Sequence, residues 1–292
     1  MNDTTRRDFL RSALLLTGTM TLPASIFAQE QGKPKKPKNP YAPFRVGVQS
    51  YSLRGYKVEE ALKHTKELGL TLWEGWDGHF PITDDPAKIA EYKAMLKTYG
   101  ITMPTYGVVY FGNDEKVVRS KFEFAKAMNI STLSAAPAAD SFELLDKMVK
   151  VYAVNIAIHN HGPDDKLYGK PEQIMTAVKN WSPRIGACND TGHFLRSGED
   201  PIKASALFDA RLFGMHLKNA KKNADGSIGF TEIGVPEGLL DTGELFMTLR
   251  KIKYRGIVAL EYEEHEDNPI PFMAQCLEAT RTAIANVRKT KA

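Results

Sequence analysis

Between residues 45 and 263 the sequence alternates eight times between a short β-branched run and a longer stretch with apolar residues at helical spacing. The strand candidates are Arg45–Ser52, Thr71–Gly75, Thr102–Val108, Ser131–Ala135, Asn155–His161, Arg184–Asp190, Arg211–Lys218 and Gly256–Glu263. Between them, sets such as Val58-Ala61-Leu62-Leu68 and Leu245-Phe246-Leu249-Ile252 put apolar residues on one helical face. Asp114 and Ser141 stand where helices open, and Gly69 and Gly100 where they close. Eight β-then-α units of about 30 residues each point to a parallel sheet closed on itself, a single-domain (β/α)8 TIM barrel. The competing arrangement, an open doubly wound sheet, carries a Gly-rich turn after its first strand. Ser50-Tyr51-Ser52-Leu53 is no such turn.

The barrel so read spans 44–292. Ahead of it, Thr5-Arg6-Arg7-Asp8-Phe9-Leu10-Arg11 and the mildly apolar run to Phe27 read as a twin-arginine signal over 1–28, with Ala28 small enough for cleavage. Thr17, Gly18, Thr19, Thr21, Pro23 and Ser25 dilute that run too far for a membrane span. The expectation is export, with a periplasmic location and no membrane attachment after cleavage. Residues 29–43 (QEQGKPKKPKNPYAP) read as an extended, poorly ordered Pro/Lys-rich linker. Net charge is +4, of which the signal segment carries one, and several positives fall in the linker and at the C-terminus. That distribution argues against a nucleic-acid-binding face. Cys188 and Cys276 are the only cysteines, expected free and buried. The sequence leaves the oligomeric state open.

Side chains alternate faces along a strand. In the fifth strand Ile156 and Ile158 oppose Ala157, His159 and His161. In the sixth Ile185 and Ala187 oppose Gly186, Cys188 and Asp190. In the seventh Phe213, Met215 and Leu217 oppose Gly214, His216 and Lys218, and in the eighth Val258, Leu260 and Tyr262 oppose Ala259, Glu261 and Glu263. One face is aliphatic and suits the helix layer. The other begins small and turns ionisable toward the C-terminal end, where barrel enzymes keep their chemistry. Four successive strands thus end in inward His159, Asp190, His216 and Glu261, a set too polar to bury without a partner. A divalent cation is the expected partner, and mixed His/carboxylate ligation suits Mn, Zn, Co or Fe better than Ca or Mg. Trp73, Trp76 and Tyr106 are candidate sugar-stacking surfaces, with Trp73 outward by parity and so a core residue. Asp77 and His79 read as solvated loop residues.

At Ile158-His159-Asn160-His161-Gly162, Asn189-Asp190-Thr191-Gly192-His193, Met215-His216-Leu217-Lys218-Asn219 and Leu260-Glu261-Tyr262-Glu263 the chain resembles the xylose-isomerase-like barrels. That superfamily of sugar phosphate isomerases/epimerases includes ketose 3-epimerases and inosose dehydratase. Gly234 to Asp241 and Tyr254-Arg255-Gly256 add to the likeness, which covers about Phe44 to Lys289. The resemblance implies that Asp190, His216 and Glu261 bind metal, that His193 meets substrate hydroxyls, and that Glu74 stands where the family often has a glutamate, giving it a substrate-binding expectation with Tyr106 and Trp76. It implies a carbohydrate substrate and proton abstraction beside a carbonyl. Family epimerases carry on strand five a glutamate that is both ligand and base; His159 stands there instead, and a metal-bound imidazole is a poor base. Glu261 is therefore the expected proton carrier, with His161 as a second acid/base and Lys218 steadying the enolate or a departing oxygen. Three functions follow: a sugar isomerase or epimerase, a lyase or hydrolase cleaving a 3-keto-glycoside by β-elimination, and a non-catalytic sugar-binding barrel. No Gly-rich anion nest or Arg cluster follows strands seven and eight, so a phosphorylated substrate is not expected.

Overall fold

A computed structural model describes residues 39–290. The twin-arginine segment and residues 29–38 of the expected linker lie outside the described residues. The linker's last residues belong to the folded unit: Tyr41 is buried, and the Arg288 guanidinium donates to the carbonyl oxygen of Pro40 at 2.6 Å. Residues 39–43 thus pack with the unit that holds the barrel.

The eight expected strands are present. They are β1 (Arg45–Gln49), β2 (Leu72–Gly75), β3 (Thr102–Phe111), β4 (Thr132–Pro137), β5 (Asn155–His159), β6 (Ile185–Asp190), β7 (Leu212–Leu217) and β10 (Ile257–Leu260), all parallel and closed in the order β1-β10-β7-β6-β5-β4-β3-β2. A hairpin of β8 (Asn219–Lys222) and β9 (Ile228–Thr231) follows β7 and stands outside the barrel sheet. The helices are α1 (Val58–Glu67), α2 (Pro86–Tyr99), α3 (Glu115–Met128), α4 (Phe142–Tyr152), α5 (Pro171–Val178), α6 (Thr191–Arg196), α7 (Pro201–Phe208), α8 (Thr242–Lys251) and α9 (Ile270–Lys289).

Local chemistry sets the helix ends. The Asp114 carboxylate accepts from the amide of Val117 and opens α3, satisfying one of the first-turn N–H groups that have no partner within the helix. Ser141 precedes α4 as expected but does not cap it with its side chain; its hydroxyl donates to Ala138 O at 2.7 Å. Gly100 closes α2 in the left-handed region at φ 67°, where a Cβ is disfavoured.

The strand parity predicted from sequence is what the packing uses. Ile156, Ile158, Met215, Leu217, Val258 and Leu260 are buried beneath the helix layer, each contributing roughly 1.5–3 kcal/mol by leaving water. Trp73 is fully buried and edge-on to Phe80. Cys188 and Cys276 are free and buried. Parity fails on β3. Tyr106 pairs with Leu133 but Val109 with Ala135, so β3 spends three residues where β4 spends two. Such an extra residue re-aims the side chains on either side of it.

Candidate metal centre

Each donor of the cluster is held by a local device. β5 ends at His159. The next residue, Asn160, completes its neighbour strand's hydrogen bonding with its amide, donating to Asp190 O at 3.0 Å and accepting from Asp190 N at 2.9 Å. That fixes Asp190 at the end of β6, where Oδ1 caps α6 by accepting from His193 N at 2.8 Å. Oδ2 is left turned into the barrel. On β7, His216 Nε2 bonds Glu74 Oε1 at 2.8 Å, which orients the ring and turns Nδ1 toward the cluster. Glu261 follows the last residue of β10.

Here His159, Asp190, His216 and Glu261 converge, their donor atoms all within 4.8 Å of one another. His159 Nε2 is 3.0 Å from His216 Nδ1 and 3.3 Å from Asp190 Oδ2. His216 Nδ1 is 2.8 Å from Glu261 Oε2 and 3.7 Å from Asp190 Oδ2. Ligands about 2.1 Å from one ion lie about 3.0–3.4 Å apart in octahedral or tetrahedral shells, so these spacings suit a shared cation. Asp190 Oδ2 and Glu261 Oε2 are buried with charged neighbours but no hydrogen bond of good geometry, and a bound ion is one of the partners that complete such oxygens. Glu74, Asp190, Glu261 and the partly exposed Glu263 bring four negative charges against one on Lys218; a dication on neutral imidazoles cuts that excess from three to one. The residues present fit a divalent metal.

Lys218 closes the cluster. It is 4 % exposed, and its Nζ lies 3.0 Å from Asp190 Oδ2, 2.8 Å from Glu261 Oε2 and against Glu263. Burial opposes its charge, but the carboxylates of Asp190, Glu261 and Glu263 win and raise its pKa. It remains an ammonium. In return, although burial pushes the Glu261 carboxyl up, Lys218 and His216 hold it well below the usual carboxylate range. Burial likewise opposes charge on His216, and the carboxylates beside it raise its pKa well above that of a free imidazole. His161 and His193 go the other way. Burial pushes both down, His193 to about 4, so they stand neutral at pH 7.

The cluster floors a cavity of about 360 Å3 lined by Gln49, Tyr51, Trp76, Tyr110, His159, His161, His193, Lys218, Glu261 and Glu263, with the backbone of Gly107 and Val108. Its size lies at the low end for small-molecule sites. Trp76 stands edge-on to Tyr51, ring centres 5.1 Å apart.

Three expectations are corrected. Glu74 is fully buried and spends one oxygen on His216, so it orients a ligand and does not meet substrate. Tyr106 pairs in register with the outward Leu133, ahead of the extra residue of β3, and so faces the helix layer, where its hydroxyl donates to Phe80 O at 2.9 Å and its ring packs edge-on to Phe124. His79 is buried, stacked on Trp73 and bonded to Tyr56 O at 3.2 Å rather than solvated. Sequence reasoning missed Gln49, Tyr51 and Tyr110. Inward parity at the end of β1 was a usable signal for Gln49; none existed for Tyr110, whose place depends on the irregularity in β3.

Residues 62–286 match the family described as the xylose isomerase-like TIM barrel. The chain belongs to that family. The inosose dehydratase of Bacillus thuringiensis is 24% identical over 147 residues, 46% of this chain and 49% of that protein, so this chain spans about half of that relative's length. The inosose dehydratase of Mesomycoplasma hyopneumoniae is 22% identical over 248 residues, 77% of this chain and 79% of that protein. Among solved structures, an L-ribulose 3-epimerase superposes with a TM-score of 0.65 at 14% identity, covering 84% of this chain and 96% of that one. The IolI protein with a bound zinc atom gives 0.65 at 16%, covering 84% and 98%. At such identities the structures speak for the fold, and it is the same eight-stranded barrel.

Proposed function

We propose that this protein is a divalent-metal-dependent enzyme that takes the proton from the carbon beside the carbonyl of a keto-sugar and expels the substituent on the next carbon. The observation that carries the reading is the convergence of His159, Asp190, His216 and Glu261, with Lys218 among them, on the floor of a sugar-sized pocket. A divalent ion held by those four residues would act as a Lewis acid on the carbonyl oxygen. His161, neutral and at the pocket wall, is the base for the carbon-bound proton. The Lys218 ammonium faces the negative charge that builds on oxygen in the transition state. His193 offers hydrogen bonds to hydroxyls, and Trp76 with Tyr51 gives the ring an apolar wall. For a pyranoside whose anomeric substituent leaves, the chemistry fixes the positions. The carbonyl is at C3, the C2–H bond breaks, a C1=C2 double bond forms, and the C1–O pair departs with the leaving oxygen. That oxygen takes its proton back from the His161 imidazolium.

Elimination is favoured over epimerisation because strand five supplies His159 and no glutamate base, while Glu261 is tied to Lys218 and His216. The second reading, an isomerase or epimerase, draws on Glu263, which lines the wall beside Lys218 and could serve as a second proton carrier. One experiment separates them. The metal-loaded enzyme is given a 3-keto-glucoside and, separately, a free ketose in deuterated water. Elimination predicts release of the alcohol from the first; deuterium incorporated into an epimer or isomer of the second, with no alcohol released, would replace it by the isomerase reading. Reaction of neither would leave the pocket without the proposed chemistry.

A further inference from the structure

Beyond the metal pocket a wider cavity of about 880 Å3 is walled by residues including Tyr110, Phe111, His161, Leu167, Tyr168 and Arg196. The two cavities share Tyr110 and His161, so they adjoin at the proposed base. The wall is built in advance of any ligand. Asp165 Oδ1 accepts from the amides of Leu167 and Tyr168 at 3.0 and 2.9 Å, and Oδ2 from the amide of His161 at 3.2 Å. The Tyr168 hydroxyl donates to Pro137 O at 2.7 Å. A loop fixed in this way loses little entropy on binding. Yet it leaves apolar surface in water: Tyr110 is 68% exposed and Leu167 50%. A single exposed apolar side chain needs no explanation, but two on the wall of one preformed cavity mark a binding surface. The inner pocket holds one sugar ring; the outer volume lies near the upper end for small-molecule sites and holds another.

We propose that the outer cavity is the subsite for the leaving half of the substrate, a second ring joined through the anomeric oxygen and stacked on Tyr110. This rests on the elimination reading above and names its substrate class: glycosides carrying a ring as aglycone. The position of His161 between the cavities suits that role, because the bond to be broken would lie beside it.

The test is calorimetric titration of the full metal-loaded protein with methyl, phenyl and glucosyl glucosides in both anomeric forms. None has a ketone, so no turnover complicates binding. One of the ring-bearing ligands is expected to bind about tenfold or more tighter than the methyl glucoside, the range of one stacked ring. Phenyl against glucosyl tells whether the aglycone is aromatic or a sugar. In Tyr110→Ala and Leu167→Asp, both at exposed positions, the ratio of methyl to ring-glycoside Kd should collapse toward one. Equal affinities for methyl and ring glycosides in the unmodified protein would overturn the subsite while leaving the inner pocket standing, as would an undiminished ratio in both variants. Failure of every glucoside to bind, the methyl one included, would overturn the sugar pocket itself and the subsite with it.

Discussion

Glu261 Oε2 lies 2.8 Å from both His216 Nδ1 and Lys218 Nζ. Sequence reasoning gave Glu261 the catalytic proton, because a metal-bound His159 is a poor base. The charges around it lower its pKa, which suits a ligand better than a base. The two roles separate by mutation. Glu261→Gln should lose metal, read by elemental analysis, and turnover with it. His161→Gln should keep its metal and lose turnover by about 100-fold or more. A Glu261→Gln protein with full metal content and no turnover would return the proton to Glu261. Away from the site, His79 is buried against Trp73, and burial lowers its pKa below 6.5. Between the folded and unfolded values only the unfolded chain binds the proton, so this histidine withdraws stability as pH falls through about 6.5. In chelator-treated protein, the Tm loss from about pH 7.5 to about pH 5.5 should be smaller in His79→Phe than in the parent. Equal losses would mean His79 titrates as it does in water.

Strand parity could be read from sequence wherever the strand was regular. β5, β6, β7 and β10 delivered His159, Asp190, His216 and Glu261 to one point because nothing interrupts their alternation near the mouth. β3 could not be read, since its extra residue leaves no mark in composition and appears only in its pairing with β4. The β8–β9 hairpin was missed for another reason: Asn219–Lys222 is largely polar, and Ile228–Thr231 is only four residues, too short for its alternation to stand out. It nonetheless matters to the site. Phe230 stands edge-on to His193 at 5.3 Å between ring centres, with Lys218 Nζ 5.1 Å from its ring centre. The start of α6 fits beneath it only because residue 192 is glycine. A Cβ there would lie 2.6 Å from Lys218 Cβ and 2.9 Å from the Phe230 ring. Gly192→Ala should therefore cost about 1–3 kcal/mol, the usual range for overpacking, measured by urea denaturation. A variant as stable as the parent would show that the hairpin yields freely.

For the whole molecule, the metal is expected to contribute to stability as well as chemistry, because the cluster gathers buried carboxylates that only the folded chain brings together. An ion present at 1,000 times its Kd adds about 4 kcal/mol, which for a barrel of this size is about 8–16 °C in Tm. Chelation should lower Tm by that order, and re-addition of Zn, Mn or Co should restore it. A Tm indifferent to both treatments would argue against a bound ion. Export is a separate proposal, resting on Arg6 and Arg7. Replacing both by Lys should leave the protein in the cytoplasm, and undiminished periplasmic protein in cell fractions would point to a general secretory route.

The sequence by itself determined the barrel and the convergence of four candidate metal donors, because both depend on periodicity: alternating β and α units set the architecture, and a two-residue repeat sets the inward face. Which neighbours those donors meet was decided in three dimensions. Glu74 reaches His216 across 142 positions of sequence, and only closure of the sheet brings β2 and β7 to opposite walls of one lumen. Tyr106 and Tyr110, four residues apart and so on one face by simple alternation, stand on opposite faces because β3 spends an extra residue between them. Lys218 lies against three carboxylates from two other strand ends; their summed field, which no single strand carries, fixes it as an ammonium, and Lys218 with His216 in turn holds Glu261 as a carboxylate.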